Sequence, residues 1–290
     1  MPSAPGTISH VSDTARWVAI YRAMESERPD ALFHDPYARA LAGVQGEAIV
    51  DTIPRGRQMA WAMIVRTQVF DEVILEKVRT GGVDLVLNIA AGLDARPWRL
   101  DLPRTLRWVD VDFPHMVAHK SAHMAGVAPR CDYRAVAADL ADAGTRTTVL
   151  ADATAGARCV LVVAEGLLIY LTADQVAALA ADLAAMPSAR WWLIDLASPR
   201  LLEWMQKSWG KRMSTDTTSQ FKFAPETGTA FFNAAGWREE RWISSMDAAE
   251  RLKRTMRGVW FWKLIAMFYP KRVREGFKRF SGYALLERTR

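Results

Sequence analysis

The sequence predicts an α/β protein with a doubly wound, mostly parallel sheet of seven strands. Short apolar runs of strand length alternate with helical patterns along most of the chain. The run Leu85–Ile89 has the length and apolar character of a strand buried on both faces. It leads into Ala90, Ala91 and Gly92, small residues that let a ligand approach the backbone beyond the carboxyl end of the strand.

Composition and charge narrow the class of protein. The 290 residues can bury a large core, and no apolar run approaches the roughly 20 residues of a membrane-spanning helix. The N-terminus shows no signal-peptide pattern, and both cysteines lie outside any CxxC motif, so we expect a reduced, cytoplasmic protein. Residues 251–290 carry a net charge of +10 and the rest −4, so the total of +6 does not indicate a nucleic-acid partner.

Helical patterns fill the first 80 residues after a loose leader at 1–11. The first helix begins near Ser12 or Asp13, either of which can cap it, and it ends at 28–30. The next helix begins with Asp35 as its cap and Pro36 in the first helical position. A long third helix covers 58–79.

Two arginines in these helices leave alternatives open. Arg22 and Glu25 stand three residues apart on one side of the first helix, where a helix-packing ion pair is one interpretation. Arg66 lies among apolar residues of the third helix, so its guanidinium either reaches outward to solvent or meets an anion.

Acidic residues follow three successive strands of the predicted sheet. Further strands are predicted at 106–111, 133–137, 159–164, 191–196, 237–243 and 283–287, with helices after Pro114 and from Thr172. Asp112, Asp139 and Glu165 would therefore line one crevice and suit a ribose, an adenine and a cationic group. Because only Gly92 of a three-glycine dinucleotide fingerprint is present, a pyrophosphate and a nicotinamide dehydrogenase are disfavoured.

Several motifs in a shared order carry a family resemblance. They are Val11-Ser-Asp-Thr-Ala15, Arg22-Ala-Met-Glu25, Phe33-His-Asp-Pro36, Asn88-Ile-Ala-Ala-Gly-Leu-Asp-Ala-Arg96, Asp110-Val-Asp-Phe-Pro114 and Ala164-Glu-Gly-Leu-Leu-Ile-Tyr-Leu171. The chain resembles the leucine carboxyl methyltransferase family, and more closely its bacterial branch, which includes polyketide carboxyl O-methyltransferases of the tetracenomycin type. The resemblance runs from about residue 11 to 200 and is looser beyond.

The resemblance implies a class I, Rossmann-like methyltransferase fold with S-adenosyl-L-methionine as cofactor and no metal. It implies a helical N-terminal extension at 1–80, a core at 81–245, a helical insertion covering the substrate at 246–279 and a last strand at 280–290. The implied cofactor residues are Arg66 for the carboxylate, Asn88, Ala90, Gly92 and Asp94 at the turn, Asp112 and Phe113 at the ribose, Asp139 and Leu140 at the adenine, and Glu165 and Gly166 at the methionine moiety.

The expected activity is O-methylation, most simply of a carboxylate on a small polyketide-like or aromatic molecule. An ionised carboxylate needs no general base, and no histidine ends a predicted strand. Arg22 or Tyr170 would orient the acceptor, an acid or a phenol. Alternatives are methylation of a small-molecule hydroxyl, methylation of a protein carboxylate, and a non-catalytic binding protein that contacts a membrane or partner through its basic tail.

An aromatic and basic segment at 256–279 precedes the last strand. It could cover a bulky apolar acid, lie as an interfacial helix on an anionic membrane surface, or form ordinary core helices with a basic outer face. The sequence leaves these three interpretations open.

Overall fold

A single seven-stranded sheet forms the centre of the computed structural model, which describes residues 11–52, 56–209, 220–256, 276 and 278–289. The strand order is β3-β2-β1-β4-β5-β7-β6. Strands β1 to β5 are parallel, and β7 runs antiparallel to its neighbours β5 and β6. The strands are β1 Leu85–Ile89, β2 Arg107–Asp112, β3 Asp132–Ala137, β4 Val160–Ala164, β5 Ala189–Ala197, β6 Trp237–Ser244 and β7 Ser281–Arg288. The predicted fold class is confirmed.

Nine α-helices lie within the described ranges. They are α1 Val11–Ser26, α2 Ala38–Thr52, α3 Gly56–Thr80, α4 Arg96–Arg99, α5 Pro114–His123, α6 Ala143–Thr154, α7 Ala173–Ala185, α8 Pro199–Trp209 and α9 Ser245–Arg251. Helix α7 begins with a complete capping box between Thr172 and Gln175, which satisfies two backbone N–H groups. None of these helices combines the length and the apolar character needed to cross a membrane.

Both faces of the central strands β1 and β4 are buried, which explains their apolar sequences. Every residue of β1 and β4 is buried, and their side chains point alternately into two clusters. Leu85 and Val162 contribute to the cluster beneath α6 and α7, whereas Val86 and Leu161 contribute to the cluster beneath α3. A third cluster joins α1, α2 and α3 to Leu93 and Trp98 just beyond β1. The N-terminal helices are thereby fixed over the carboxyl end of the central strand.

The helix starts differ from the sequence prediction in two places. Helix α1 already includes Val11, so Ser12 and Asp13 lie in its first turn instead of preceding it. Helix α2 begins at Ala38, and Asp35 lies in the preceding turn, where its Oδ1 accepts from the backbone N–H of Tyr37. Asp35 is only 2% exposed. Its position is therefore determined by tertiary contacts and not by helix capping alone.

The Arg22–Glu25 ion pair, one interpretation of their spacing in the sequence, does not occur among the described residues. Arg22 pairs instead with Asp35 at 2.8 Å, and Glu25 pairs with Arg254, which lies after α9. Helix α8 was not predicted. Of the aromatic and basic segment at 256–279, residues 257–275 and 277 lie outside the described residues, as do 1–10 of the leader.

Candidate functional site

A cavity of about 730 Å³ opens at the carboxyl ends of the strands, a volume typical of small-molecule sites. It is the place where an open α/β sheet binds its ligands. The cavity brings together all thirteen residues predicted from the sequence: Arg22, Arg66, Asn88, Ala90, Gly92, Asp94, Asp112, Phe113, Asp139, Leu140, Glu165, Gly166 and Tyr170. They come from parts of the chain separated by more than a hundred residues.

The turn after β1 lies in left-handed backbone conformation. Ala90 has φ +52° and Gly92 has φ +51°. A Cβ on Gly92 would lie 3.1 Å from the Cβ of Ala15, so this glycine allows α1 to approach the turn. An alanine at φ +52° costs on the order of 1 kcal/mol relative to glycine, and the surrounding packing must offset that strain at Ala90.

Asp112 ends β2 and is oriented by backbone donors. Its Oδ2 accepts from the N–H of Gly92 at 2.6 Å, and its Oδ1 accepts from the N–H of Phe113 at 2.7 Å. Burial raises the pKa of Asp112, although the two N–H donors favour the ionised form. The remaining lone pairs of a carboxylate held in this way can accept hydrogen bonds from a pair of hydroxyls.

Asn88 and Asp94 belong to a buried polar network under the turn. Asn88 donates from Nδ2 to Asp94 Oδ2 and to Asp110 Oδ1, both at 3.1 Å. Asp94 also contacts Arg96 at 2.7 Å. Burial opposes ionisation of Asp94, but Arg96 and Lys120 outweigh it and hold its pKa well below the ordinary value. The network fixes the turn as a charged, hydrogen-bonded unit.

Arg66 meets two carboxylates at the centre of the cavity. Its Nε lies 3.0 Å from Glu165 Oε1, and its Nη1 lies 3.3 Å from Asp195 Oδ2. Of the two alternatives left open for Arg66, the structure shows the anion and not the outward path to solvent. Glu165 also contacts Arg96 at 2.8 Å. Burial opposes ionisation of Glu165, but Arg96 and Arg66 outweigh it, so its pKa lies below the ordinary value.

Gly166 shapes the approach of the Arg66 guanidinium. The glycine has φ +69°, and a Cβ there would lie 3.0 Å from Arg66 Nη1. Its N–H donates to Asp195 Oδ1 at 2.6 Å. Asp195 therefore holds both the turn after β4 and the arginine. Sequence reasoning did not include Asp195 among the site residues, although it lies near the carboxyl end of β5 as Asp112 does in β2.

Asp139 and Leu140 lie at the β3 end of the cavity. Asp139 is exposed, and its Oδ1 accepts from the N–H of Ala141 at 2.9 Å. The carbonyl of Leu140 accepts from Arg146, which in turn pairs with Asp182. Within the described ranges, Asp112 and Asp139 are the two cavity-lining carboxylates that form no ion pair. This end of the cavity is thus suited to neutral hydrogen-bond donors.

Arg22 and Tyr170 both line the cavity, but they differ in burial and in the groups that they contact. Arg22 is 8% exposed, and it donates from Nε to Asp35 and from Nη2 to the carbonyl of Leu93 at 2.5 Å. Tyr170 is half-buried, its ring lies 5.6 Å from that of Phe221, and burial raises the pKa of its hydroxyl. Arg22 therefore supports the turn after β1, whereas Tyr170 lines the opening toward α8.

One part of the cavity is lined mainly by apolar side chains, and we call it the acceptor lobe. Helices α1, α3, α8 and α9 and the segment around Phe221 supply its walls; among the lining residues are Trp17, Met59, Trp61, Met63, Leu201, Trp204, Met205, Phe221, Met246 and Met256. The remainder, over β1, β2 and β3, is the cofactor lobe. The walls of the acceptor lobe come from four helices and the segment around Phe221, so no local sequence pattern marks it.

Lys222 differs from the other cations on the cavity wall. Arg22, Arg66, Arg96 and Arg146 all form ion pairs, whereas Lys222 has no carboxylate within 4.0 Å in the described part of the chain. The backbone N–H of Lys222 donates to the carbonyl of Ile169 at 2.7 Å, which holds it beside Tyr170. An uncompensated cation is therefore available to an anionic group at this side of the cavity.

Comparison with known proteins gives concordant matches. The profile of the leucine carboxyl methyltransferase family matches residues 15–184. A protein of Mycobacteroides abscessus is 39% identical over 176 residues, covering 57% of this chain and 56% of that protein. A protein of Mycobacterium marinum is 30% identical over 242 residues, covering 79% and 70%. Both are provisionally described as S-adenosyl-L-methionine-dependent methyltransferases. The chain thus spans between about half and about two thirds of these relatives.

Two solved structures share the fold over nearly the whole chain. A methyltransferase-like protein of Thermobifida fusca, so described provisionally, superimposes with a TM-score of 0.57 at 14% identity, covering 98% of this chain and 96% of that one. A DUF574 family protein of Streptomyces avermitilis superimposes with a TM-score of 0.56 at 12% identity, covering 96% and 97%. At this level of identity the likeness concerns the fold.

Proposed function

Because the chain belongs to the leucine carboxyl methyltransferase family, whose members use S-adenosyl-L-methionine, we propose that it methylates a carboxylate oxygen of a bulky apolar molecule, polyketide-like or aromatic. The observation that carries the proposal is the lining of the cavity, which is polar and acidic at the ends of β1 to β3 and mainly apolar where α1, α3, α8 and α9 supply the wall. Helices α1 and α3 supply part of its wall, and we propose that the insertion predicted at 246–279, of which Met246 and Met256 line the cavity, belongs to the cover of the acceptor lobe.

The residues of the cofactor lobe fit S-adenosyl-L-methionine. We propose that Asp112 accepts from the ribose hydroxyls, because its two oxygens are oriented but unpaired with any cation in the described ranges. Asp139 and the backbone at Leu140 would contact the adenine. Phe113 would contact the ribose beside Asp112. Glu165 and Gly166, with Asn88, Ala90, Gly92 and Asp94 of the turn, would surround the methionine moiety, and Arg66 would bind its carboxylate.

The cofactor, when bound, supplies an electrophilic methyl group on a sulfonium centre. The chain must then hold an acceptor oxygen in line with that methyl and exclude water. We propose that Tyr170 orients the acceptor at the junction of the two lobes. The internal partners of Arg22 support a positioning role for that residue, through the carbonyl of Leu93.

A carboxylate acceptor accounts for the charges better than a neutral one. Lys222 would bind an anionic acceptor, and no histidine lines the cavity within the described residues to serve as a general base. The second candidate, a hydroxyl acceptor, is favoured by one observation. Asp195 lines the cavity with its carboxylate 22% exposed and could accept a proton.

Mass spectrometry with a chemical follow-up separates the two candidates. Aromatic and aliphatic acids and phenols are incubated with the protein and S-adenosyl-L-methionine, and products are screened for the mass gain of one CH2 unit. Mild alkali then hydrolyses a methyl ester back to the acid but leaves a methyl ether intact. Alkali-labile products from acids are expected. Products formed only from phenols and stable to alkali would favour the hydroxyl acceptor, and binding of S-adenosyl-L-homocysteine without any turnover would indicate a non-catalytic protein.

A further inference from the structure

Methionines are concentrated on the cavity wall. Of the nine methionines within the described residues, six line the cavity: Met59, Met63, Met116, Met205, Met246 and Met256. Met116 follows β2 and belongs to the cofactor lobe. The other five belong to the acceptor lobe, and they come from helix α3, helix α8, the first turn of α9 and the residues that follow α9.

These five methionines differ from those of the core. Met116, Met124 and Met186 are between 4% and 6% exposed and pack in hydrophobic clusters. The five on the acceptor lobe are all partly exposed, and Met256 reaches 39%. Their thioether chains therefore face the space that a ligand would fill.

Helix α3 carries two of these methionines on the same face as Arg66. Met59, Met63 and Arg66 are spaced by four and three residues, so they share one helix face toward the cavity. With a rise of 1.5 Å per residue, Met59 lies about 10 Å along the axis from Arg66. The same helix thus presents a cation near the cofactor and flexible apolar side chains where the body of an acceptor would lie.

Methionine gives a wall that can change shape. Its unbranched chain has three rotatable bonds and a polarisable sulfur, so it fills irregular gaps and packs against aromatic rings. Branched residues would fix one cavity shape, whereas flexible methionine-rich surfaces are typical of binding sites that repack around different partners. Trp17, Trp61 and Trp204 add flat apolar faces on the same lobe.

We propose that the acceptor lobe binds a class of bulky apolar carboxylic acids of differing ring shape, and not a single acceptor, because its methionine wall repacks around each one. This inference rests on the proposed function, since it assumes that the lobe holds the methyl acceptor. Anionic recognition by Lys222 and the non-directional methionine contacts together define the class: an acid with a large apolar body.

The test is a binding panel with S-adenosyl-L-homocysteine present, so that no transfer occurs. Calorimetry measures the dissociation constants of 1-naphthoic, 2-naphthoic, 9-anthracenecarboxylic and 4-biphenylcarboxylic acids, with acetic acid as the small control. We expect the four aromatic acids to bind within about tenfold of each other, a spread of about 1.4 kcal/mol, and acetic acid to bind far more weakly. One acid preferred about 100-fold over the other three would overturn the inference.

A variant tests whether the methionines cause the breadth. The variant M59L/M63L/M205L/M246L conserves side-chain volume but restricts rotation. We expect it to bind one or two of the acids with unchanged affinity and to bind the others about tenfold or more weakly. The matched control is M24L/M124L/M186L, which alters three methionines outside the cavity and should keep the full range. If the four-leucine variant still bound S-adenosyl-L-homocysteine and bound all four aromatic acids as the wild type does, the inference would be contradicted. If that variant folds poorly, the wild-type panel decides the question.

Transfer is measured separately to keep the two proposals distinct. Broad binding of the acids without any methylation would leave this inference standing and would overturn the proposed activity. Methylation of one acid, with no binding of the others, would support the activity and overturn the inference.

Discussion

Asp112 shows how a single carboxylate can be prepared for a ligand. Backbone N–H groups from two consecutive loops fix its two oxygens, and no cation of the described residues competes for them. Burial opposes ionisation of this carboxylate and raises the pKa of Asp112. A ligand that donates hydrogen bonds to both oxygens stabilises the ionised form.

Asp112→Asn removes the charge and replaces one of the two acceptor oxygens by an amide donor. Because hydrogen bonds to charged groups contribute about 1.5–3 kcal/mol each, we expect the dissociation constant of S-adenosyl-L-homocysteine to rise roughly 10- to 100-fold. Isothermal titration calorimetry measures the change. Asp152→Asn, on the exposed face of α6, is the control and should bind normally; equal affinities for both variants would exclude Asp112 from the ribose site.

The pH dependence of binding follows from the same carboxylate. In the proposed complex the ribose hydroxyls donate to ionised Asp112, so affinity for S-adenosyl-L-homocysteine should fall as the pH falls through the pKa of Asp112. Because burial raises that pKa, the loss should begin at higher pH than for an ordinary aspartate with a pKa of about 3.9. Calorimetry over a pH series checks this, and the Asp112→Asn variant should lack that part of the profile.

Gly166→Ala tests the position of the Arg66 guanidinium. The new Cβ would lie 3.0 Å from Nη1 at a residue with φ +69°, so both the backbone and the arginine must shift. We expect a loss of about 1–2 kcal/mol in the free energy of unfolding and a rise of about tenfold or more in the dissociation constant of S-adenosyl-L-homocysteine. Gly144→Ala, whose Cβ would meet nothing nearer than 3.7 Å, should change neither quantity in urea titrations or calorimetry.

At the scale of elements, distant segments are joined by buried ion pairs near the cavity. Glu25 in α1 is fully buried, and its carboxylate accepts from Nε and Nη2 of Arg254 at 2.8–3.1 Å. The segment after α9, which leads toward the last strand, is thereby fixed to the first helix. The two walls of the acceptor lobe that carry Trp17 and Met256 are held in a defined relation.

Arg254→Met should destabilise the protein strongly. Removing one partner of a buried pair leaves an uncompensated charge and costs about 3–5 kcal/mol, which urea denaturation would show as a lower free energy of unfolding. Arg279→Met provides the comparison, because the Arg279–Glu239 pair is about half exposed on the arginine side and such pairs contribute less than about 1 kcal/mol. If both variants lost a similar free energy of unfolding, burial would not make the Glu25–Arg254 pair more stabilising than an exposed pair.

At the scale of the whole molecule, the proposed cofactor site joins the N-terminal helices to the sheet. Gly92 contacts Ala15 of α1, and Arg66 of α3 contacts the ends of β4 and β5. A ligand bound between these layers contacts parts of the chain that separate on unfolding. Ligand binding and global stability should therefore be linked.

S-adenosyl-L-homocysteine should raise the thermal midpoint. At a free concentration 100-fold above its dissociation constant, mass action contributes about 2.7 kcal/mol. For a chain of this length the unfolding entropy converts that figure to a shift of about 4 °C. Differential scanning fluorimetry or calorimetry checks it, with ATP as the control nucleotide; an equal shift with ATP, or none with the homocysteine ligand, would contradict the assigned cofactor lobe.

The fold was readable from the sequence because local patterns determine it. Strands buried on both faces must be short and apolar, and β1, β4 and β5 match their predicted spans within two residues at either end. Asp112, Asp139 and Glu165 were predictable by the same logic, since the carboxyl ends of parallel strands meet at one edge of a sheet. The family motifs then assigned Arg66, which the helix pattern by itself left open.

Tertiary structure alone decided the pairings and the acceptor lobe. The partners of Arg22 and Glu25 are Asp35 and Arg254, and the second lies more than 200 residues away in the chain. The methionine wall is assembled from elements that share no local pattern. The sequence by itself determined where the strands lie along the chain and which acidic residues follow them, because strand and turn signals are local. Which charges meet, and which side chains enclose the acceptor, depends on packing between distant segments, and packing is set only when the whole chain has folded.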